Sequence, residues 1–408
     1  MSRRLVGVAR CVGILTLTLA LGGCQWLYGP TRIHRFDIVG ADALVVGGTS
    51  GARTTEAQQQ LYKLMPDDSI ETVVAYNIAG LPMWLYAGEI KSVTDLNPNW
   101  VLLNFGVPGN SAVQENYLVE KPTGNTFYLS DVATNTYGGP FRTPTVYPYG
   151  DVFYMNGRSE TDPGSVNLYR FDISSPDHVV GTVVFEPTPP EYLNSAWVAS
   201  DGTALCTLNT NRMFACLPDG SVQQISEPAV LGELFLTGGD VFYMFYDEEL
   251  VAIRTAGGEL TVSYFSVPDT PARRYPAPLR VEERWYMIGT AGIVDLTDLE
   301  TSGATQVASH AFDTVELCAQ FGTRLVALYG IVGGETRLEV VDSDDWSATT
   351  LWSASEYILD SIASTGDVLM MGGLVSSTGN KAAISYDGEL SVQEITASSE
   401  PVVIVPIR

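Results

Sequence analysis

Short runs of apolar residues, each opened by a tight polar turn, recur along the chain. The clearest are Gly150-Asp151-Val152-Phe153-Tyr154-Met155, Gly239-Asp240-Val241-Phe242-Tyr243-Met244 and Gly366-Asp367-Val368-Leu369-Met370-Met371. Weaker copies begin at Asp42, Asn99, Thr203, Arg284 and Thr323, giving eight in all, with spacings of 57, 52, 52, 37, 44, 39 and 44 residues. Units of that size suit four short strands. Both alternating faces of each run are apolar: Val241 and Tyr243 point one way, Phe242 and Met244 the other. A strand of that kind must lie between two layers. Behind the run comes a strand, a Gly/Asp turn and a further strand, as at 213–222, at 250–262 across Gly257-Gly258 and at 382–395 across Asp387-Gly388. Gly or Asp at such turns supplies the positive φ that two-residue hairpins need. No long stretch carries helical periodicity, and 39 glycines and 22 prolines punctuate the strands.

A repeated four-stranded unit whose first apolar run is buried on both sides resembles the β-propeller, in which blades pack face to face around an axis. The resemblance covers roughly residues 35–400 and implies an all-β fold of eight blades, or seven if the divergent first unit only completes the ring. There is no Trp-Asp signature and no complete Asp-box, so the resemblance implies a fold and not a particular family. Closure needs a partner for the open edge, because an exposed strand invites pairing with other chains. Residues 402–407, Val-Val-Ile-Val-Pro-Ile, are predicted to close the ring by pairing beside residues 35–39.

The beginning of the chain is patterned differently. Arg3, Arg4 and Arg10 precede an apolar core over residues 12–21, and Leu21-Gly22-Gly23-Cys24 closes it. These residues resemble the lipobox of bacterial lipoproteins, whose cysteine thiol is alkylated by a diacylglyceryl group before the chain is cut just ahead of it. A ten-residue helix rises only about 15 Å, half of a bilayer's hydrocarbon core, which argues against a retained span. Ser2-Arg3-Arg4-Leu5 also faintly resembles the twin-arginine export motif. The predicted organisation is a signal peptide over residues 1–23, a tether over 24–34 and a propeller over 35–408. Several acyl chains on Cys24 would hold the protein permanently at its membrane, since each buried methylene adds about 0.8 kcal/mol. Gln25, where aspartate is absent, resembles the lipoproteins sent to the outer membrane of two-membrane bacteria.

Charge narrows the partners. The whole chain carries −25, and the mature chain from Cys24 is near −28, because the leader holds Arg3, Arg4 and Arg10 and no acid. Such a field repels phosphate backbones and anionic lipid head groups, and no basic run compensates, so nucleic acid is excluded as a partner. Arg273, Arg274 and Arg280 sit in or beside a proline-rich stretch read as a solvated loop. Cys11 leaves with the leader. Cys206 and Cys216 fall on consecutive strands joined across Asn209-Thr210-Asn211, a spacing open to a cross-strand disulfide in an exported protein or to two small buried thiols. Cys318 reads as a buried hydrophobe.

Catalytic signatures are sparse. His34, His178 and His310 are far apart and in no metal-binding spacing. Gly47-Gly48-Thr49-Ser50-Gly51 lacks the spacing of a nucleophile elbow, and Asp342-Ser343-Asp344-Asp345-Trp346 reads as an acidic hairpin turn and not a calcium loop. One constellation stands out. Counting seven residues back from Asp240, Thr323 and Asp367 gives Glu233, Glu316 and Asp360, carboxylates expected near the mouth of the central channel, where they would form either a rim that binds a cation, with calcium as the candidate, or a basic peptide, or else a solvated edge. No other cofactor is indicated. Two functional classes follow: a lipid-anchored module that binds or assembles with another envelope protein, architecturally similar to the eight-bladed lipoprotein subunits of the outer-membrane β-barrel assembly machinery although their repeat motif is not matched, or a hydrolase or lyase acting on polysaccharide or peptide through funnel carboxylates. If Cys206 and Cys216 are bridged, the intact mass rises by about 2 Da on reduction; an unchanged mass would mean two thiols.

Overall fold

The recurring apolar runs are the second strands of eight blades. The computed structural model describes residues 33–47, 61–83, 90–107, 110–129, 133–134, 137–140, 145–159, 165–175, 179–199, 201–225, 234–238, 241–246, 249–256, 259–267, 279–288, 292–309, 313–353, 356–396 and 402–407. Eight sheets of at least four strands follow one another along it, so the chain is an eight-bladed β-propeller. Seven of them read inner to outer in chain order, beginning with Ile90–Asn97 in blade 2 and Tyr357–Thr365 in blade 8. Blade 3 carries extra short strands, Ala133–Thr134 and Tyr137–Pro140. A single helical turn, Leu299–Ser302, lies in blade 6.

Each second strand feeds two separate cores. In blade 5, Val241 and Tyr243 join the core shared with blade 6, while Phe242 and Met244 join the core shared with blade 4. Blade 3 repeats this, with Phe153 and Met155 packed toward blade 2 and Tyr154 toward blade 4. Eight such cores are distributed around the ring, one at each blade-to-blade junction. The doubly apolar pattern therefore has a direct physical cause: both faces of the sheet are removed from water, at about 25 cal/mol per Å² of apolar surface.

Closure differs from expectation in one respect. Val402–Pro406 pairs with Ala43–Gly47 and not with residues 35–39, in an antiparallel register that sets Val402 opposite Gly47 and Pro406 opposite Ala43. It takes the innermost place of blade 1, whose other strands, Ala43–Gly47, Leu61–Leu64 and Ile70–Thr72, come from the other end of the chain. Arg35–Phe36 instead pairs with Ala75–Tyr76 in a small separate sheet, because Phe36 is fully buried between blades 1 and 2 and its backbone N–H donates to Gly124 at 2.8 Å.

The seam is fastened by side chains of blade 8. Asp360 accepts from Lys381 Nζ at 2.7 Å and from the Val402 backbone N–H at 2.9 Å. Next to it, the Ser361 hydroxyl donates to the Val402 carbonyl at 2.8 Å and accepts from the Ile404 N–H at 3.1 Å. Gly372 permits this approach, since a Cβ there would stand 2.4 Å from the Val402 carbonyl oxygen and 2.9 Å from its Cγ1. Sequence position explains the demand for such a clasp: joining residues some 360 apart carries a loop-closure cost that the local strand pairs of the other blades do not meet.

Asp360 and Lys381 have side chains only 18% and 9% exposed, so removing one strands the other charge. Asp360→Ala is expected to destabilise the fold by about 3 kcal/mol, a fall of about 4 °C in the unfolding midpoint for a domain of this size. Glu316→Gln, outside the clasp, should leave the midpoint unchanged. Calorimetry of the two variants checks this, and equal midpoints would contradict the clasp.

Candidate functional site

The inner strands crowd around the central axis, and five of them share an irregularity near their start. The pairing with the second strand shifts between Ile90 and Ser92, Leu193 and Ser195, Leu234 and Leu236, Val315 and Leu317, and Leu359 and Ser361. Each shift inserts one extra residue: Lys91, Asn194, Phe235, Glu316 and Asp360 respectively. Bulges of this kind bend a strand and re-aim a side chain, and they gather at rims and sites. Two of the carboxylates identified from the repeat register, Glu316 and Asp360, are thus bulge residues at matching places in adjacent blades. In blade 8, Gly373 stands opposite Leu359, where a Cβ would meet the Ile358 carbonyl oxygen at 2.5 Å.

Glu233, the third, lies outside the described residues. The seven-residue count does not transfer to blade 5, because its inner strand runs only from Leu236 to Gly238 after the bulge, against Leu317 to Phe321 in blade 7. Phe235 therefore occupies the bulge there.

Between Glu316 and Asp360 stands Tyr329, from the second strand of blade 7. Its hydroxyl accepts the Leu359 backbone N–H at 3.2 Å. Burial pushes its phenol above the ordinary value; the Leu359 N–H opposes this, and the charges of Glu316 and Asp360 add to the rise. At neutral pH the group is a neutral phenol beside two carboxylates. Asp360 is committed to Lys381 and the closing strand, whereas Glu316 has no ion pair among the described residues. No group of three His, Cys, Asp or Glu side chains gathers around a metal-sized point among the described residues. What this corner offers is one carboxylate and a fixed hydrogen-bonding clasp, with Ile358 and Val403 exposed on the flanking inner strands.

A second concavity, unforeseen from the sequence, lies at the turns joining third and fourth strands. A cleft of about 190 Å³ between blades 5 and 6 is lined by Tyr243, Ala252, Arg254, Thr297, Asp298, Leu299 and Thr301. Its wall is built by an Asp turn: Asp295 Oδ1 accepts the Thr297 N–H at 2.8 Å, and the Thr297 hydroxyl accepts the Trp285 N–H at 3.0 Å. The signal for it, Asp295-Leu296-Thr297, repeats the Asp-x-Ser/Thr spacing of Asp67-Asp68-Ser69, Asp219-Gly220-Ser221 and Asp345-Trp346-Ser347. In those three the serine's hydrogen bonds hold the exposed carboxylate below its ordinary range.

The remaining candidates fall as follows. Cys206 and Cys216 are buried thiols with sulfurs 4.0 Å apart; the register sets Cys206 opposite Phe214 and Cys216 opposite Ala204, a diagonal pair. Burial pushes Cys206 well above the usual thiol range and Cys318 up to about 11, which makes both poor nucleophiles. His34 is exposed where the described chain begins; His178, His310, Cys24, Arg273, Arg274 and residues 48–51 lie outside the described residues. Arg280 is taken by Glu283 at 2.7 Å and lies against Trp285. Asp342-Ser343-Asp344-Asp345-Trp346 forms the acidic turn expected of it, tied to Arg324 and pinned by the Trp346 ring on Tyr286 at 4.9 Å.

No family model matches the sequence, and no curated protein matches it. Similar solved structures include the β-propeller domain of the trilobed protease from Pyrococcus furiosus, 10% identical with a TM-score of 0.44 over 77% of this chain and 100% of that one. A puromycin-hydrolysing peptidase from Mycobacterium tuberculosis is 13% identical with a TM-score of 0.47 over 76% of this chain and 53% of that one. An oligogalacturonate lyase in complex with manganese is 14% identical with a TM-score of 0.38 over 72% and 73%. The chain spans about half the length of the puromycin hydrolases it resembles, at 54% and 53%. Likenesses this distant say nothing of activity, and the fold stands on the sheet topology itself.

Proposed function

We propose that this chain is a lipid-anchored propeller of the bacterial envelope that binds another envelope protein or ligand as a recognition or assembly module. The observation that carries the reading is the short run from Cys24 to the first described residue, Ile33. Nine residues extend at most about 32 Å, so a lipid on Cys24 keeps the whole ring next to its membrane. The reading is supported by the way the corner between blades 7 and 8 is built. Asp360, which a funnel hydrolase or lyase would need as an acid or base, is spent on Lys381 and the Val402 amide. What the described residues leave accessible at this corner is the Glu316 carboxylate beside the exposed Ile358 and Val403, on a strongly acidic body, a surface we read as one for recognition. Such chemistry on polysaccharide or peptide stays compatible with the fold alone.

The test is made on cells. Protein extracted from envelopes is expected to begin at Cys24 with added acyl mass and to resist alkaline washing, while Cys24→Ser is released to the soluble fraction; an unmodified, freely soluble wild-type chain would overturn the anchor. Gentle detergent extraction with Cys24 intact is expected to recover a stoichiometric envelope partner, and recovery of the chain alone would overturn the assembly role.

A further inference from the structure

Between blades 1 and 2 the chain makes an excursion that no blade requires. Ala75–Tyr76 and Pro82–Met83 form a small hairpin, and Arg35–Phe36 completes the sheet on its other side. The loop at its tip is held rigidly. The Asn77 side-chain oxygen accepts the N–H groups of Ala79 at 2.9 Å and Leu81 at 3.0 Å, the Asn77 N–H donates to the Leu81 carbonyl at 3.0 Å, and Gly80 takes φ 71° to close the turn. This frame displays Ile78-Ala79-Gly80-Leu81-Pro82, five consecutive exposed residues without a charge. Ile78 is 76% exposed and Leu81 60%, the two most exposed large hydrophobic side chains among the described residues. On a chain of net charge −25, a preorganised and uncharged apolar tip calls for an occupant.

Its position names one. His34, ten residues from Cys24, donates its backbone N–H to the Tyr76 carbonyl at 2.8 Å, two residues before Ile78. The tether therefore reaches the described fold at the base of this hairpin, within about 35 Å of chain from Cys24. Arg35 is exposed there, and its guanidinium lies over the Tyr76 ring at 4.7 Å, so the apolar tip has a cation and an aromatic ring at its base. Apolar tips with basic and aromatic shoulders are what a phospholipid interface accepts, the chains below and the phosphates at the level of the cations.

We propose that the Asn77 hairpin is a second, peripheral membrane contact that inserts Ile78 and Leu81 into the bilayer interface beside the anchor. This deepens the lipid-anchor reading and rests on it. Two side chains alone give weak binding; a neighbouring anchor makes the contact intramolecular, so that it fixes the orientation of the ring on the membrane without having to capture it.

The test separates this contact from lipidation in the cell. The mature chain with Cys24→Ser and Cys318→Ser, carrying an N-terminal histidine tag, is held on phosphatidylcholine vesicles containing a nickel-chelating lipid, with bimane attached at Ala79→Cys. Quenching by headgroup-level nitroxide lipid is expected to be about five-fold stronger than for a label at Val222→Cys on the outer strand of blade 4, and to fall to that level in Ile78→Asp/Leu81→Asp. Equal quenching at the two sites, or quenching unaffected by the aspartates, would overturn the contact. So would a bimane shift that depends on protein concentration without vesicles, which marks a second copy as the occupant. If Cys24 proves unmodified in cells while this quenching holds, the anchor reading fails and the hairpin's affinity for the interface stands; the converse result removes the hairpin alone.

Discussion

Every blade of this propeller is buried on both faces, and that is possible only in a closed ring. The whole arrangement therefore depends on the junction where the last strand, Val402–Pro406, enters the blade built by the beginning of the fold. Seven junctions join neighbours that are also adjacent in sequence. The eighth joins blade 8 to blade 1, and its core of Ala43, Val45, Leu64, Met370, Ala383, Val402 and Ile404 forms only when distant segments meet. Hydrophobic burial supplies the drive, but it is non-directional. Direction comes from Asp360 and Ser361, which read the Val402 and Ile404 backbone groups, and from Gly372, which gives them room.

Most of the fold was legible because burial on two faces leaves a strong mark. The second strands, such as Val368–Val375 and Leu325–Val332, are nearly continuous apolar runs, and the register they set counted the blades correctly. The inner strands left a weaker mark. They are bulged, expose residues such as Asn194 and Ile358, and in blade 6 shrink to Leu279–Val281. The partner of the closing strand was misread for a related reason: residues 35–39 look like an edge, but Phe36 is drawn into the core between blades 1 and 2, and Ala43–Gly47 is left with the open edge.

The candidate site shows the same boundary between local and distant information. Glu316 and Asp360 could be found by counting back from the register, since the strand between the bulge and the turn is five residues long in both blades 7 and 8. That Asp360 takes Lys381 from two strands away and the Val402 amide from the closing strand could not, because the first pairing needs the folded blade and the second exists only after closure. A carboxylate that sequence alone offered as a cation ligand or an acid is, in the folded ring, a structural group. The cleft beside Arg254 escaped notice because its lining comes from two blades, although the Asp-x-Thr turn that shapes it is visible in the chain.

That the ring is one body fastened at a single seam is tested most directly by amide hydrogen exchange across a denaturant series. The amides of residues 402–405 in the closing strand should open with the same free energy and denaturant dependence as those of Ala43–Gly47 and Val368–Val375, since the three strands share one core. Exchange of residues 402–405 through local fraying, while the other two strands stay protected, would contradict it.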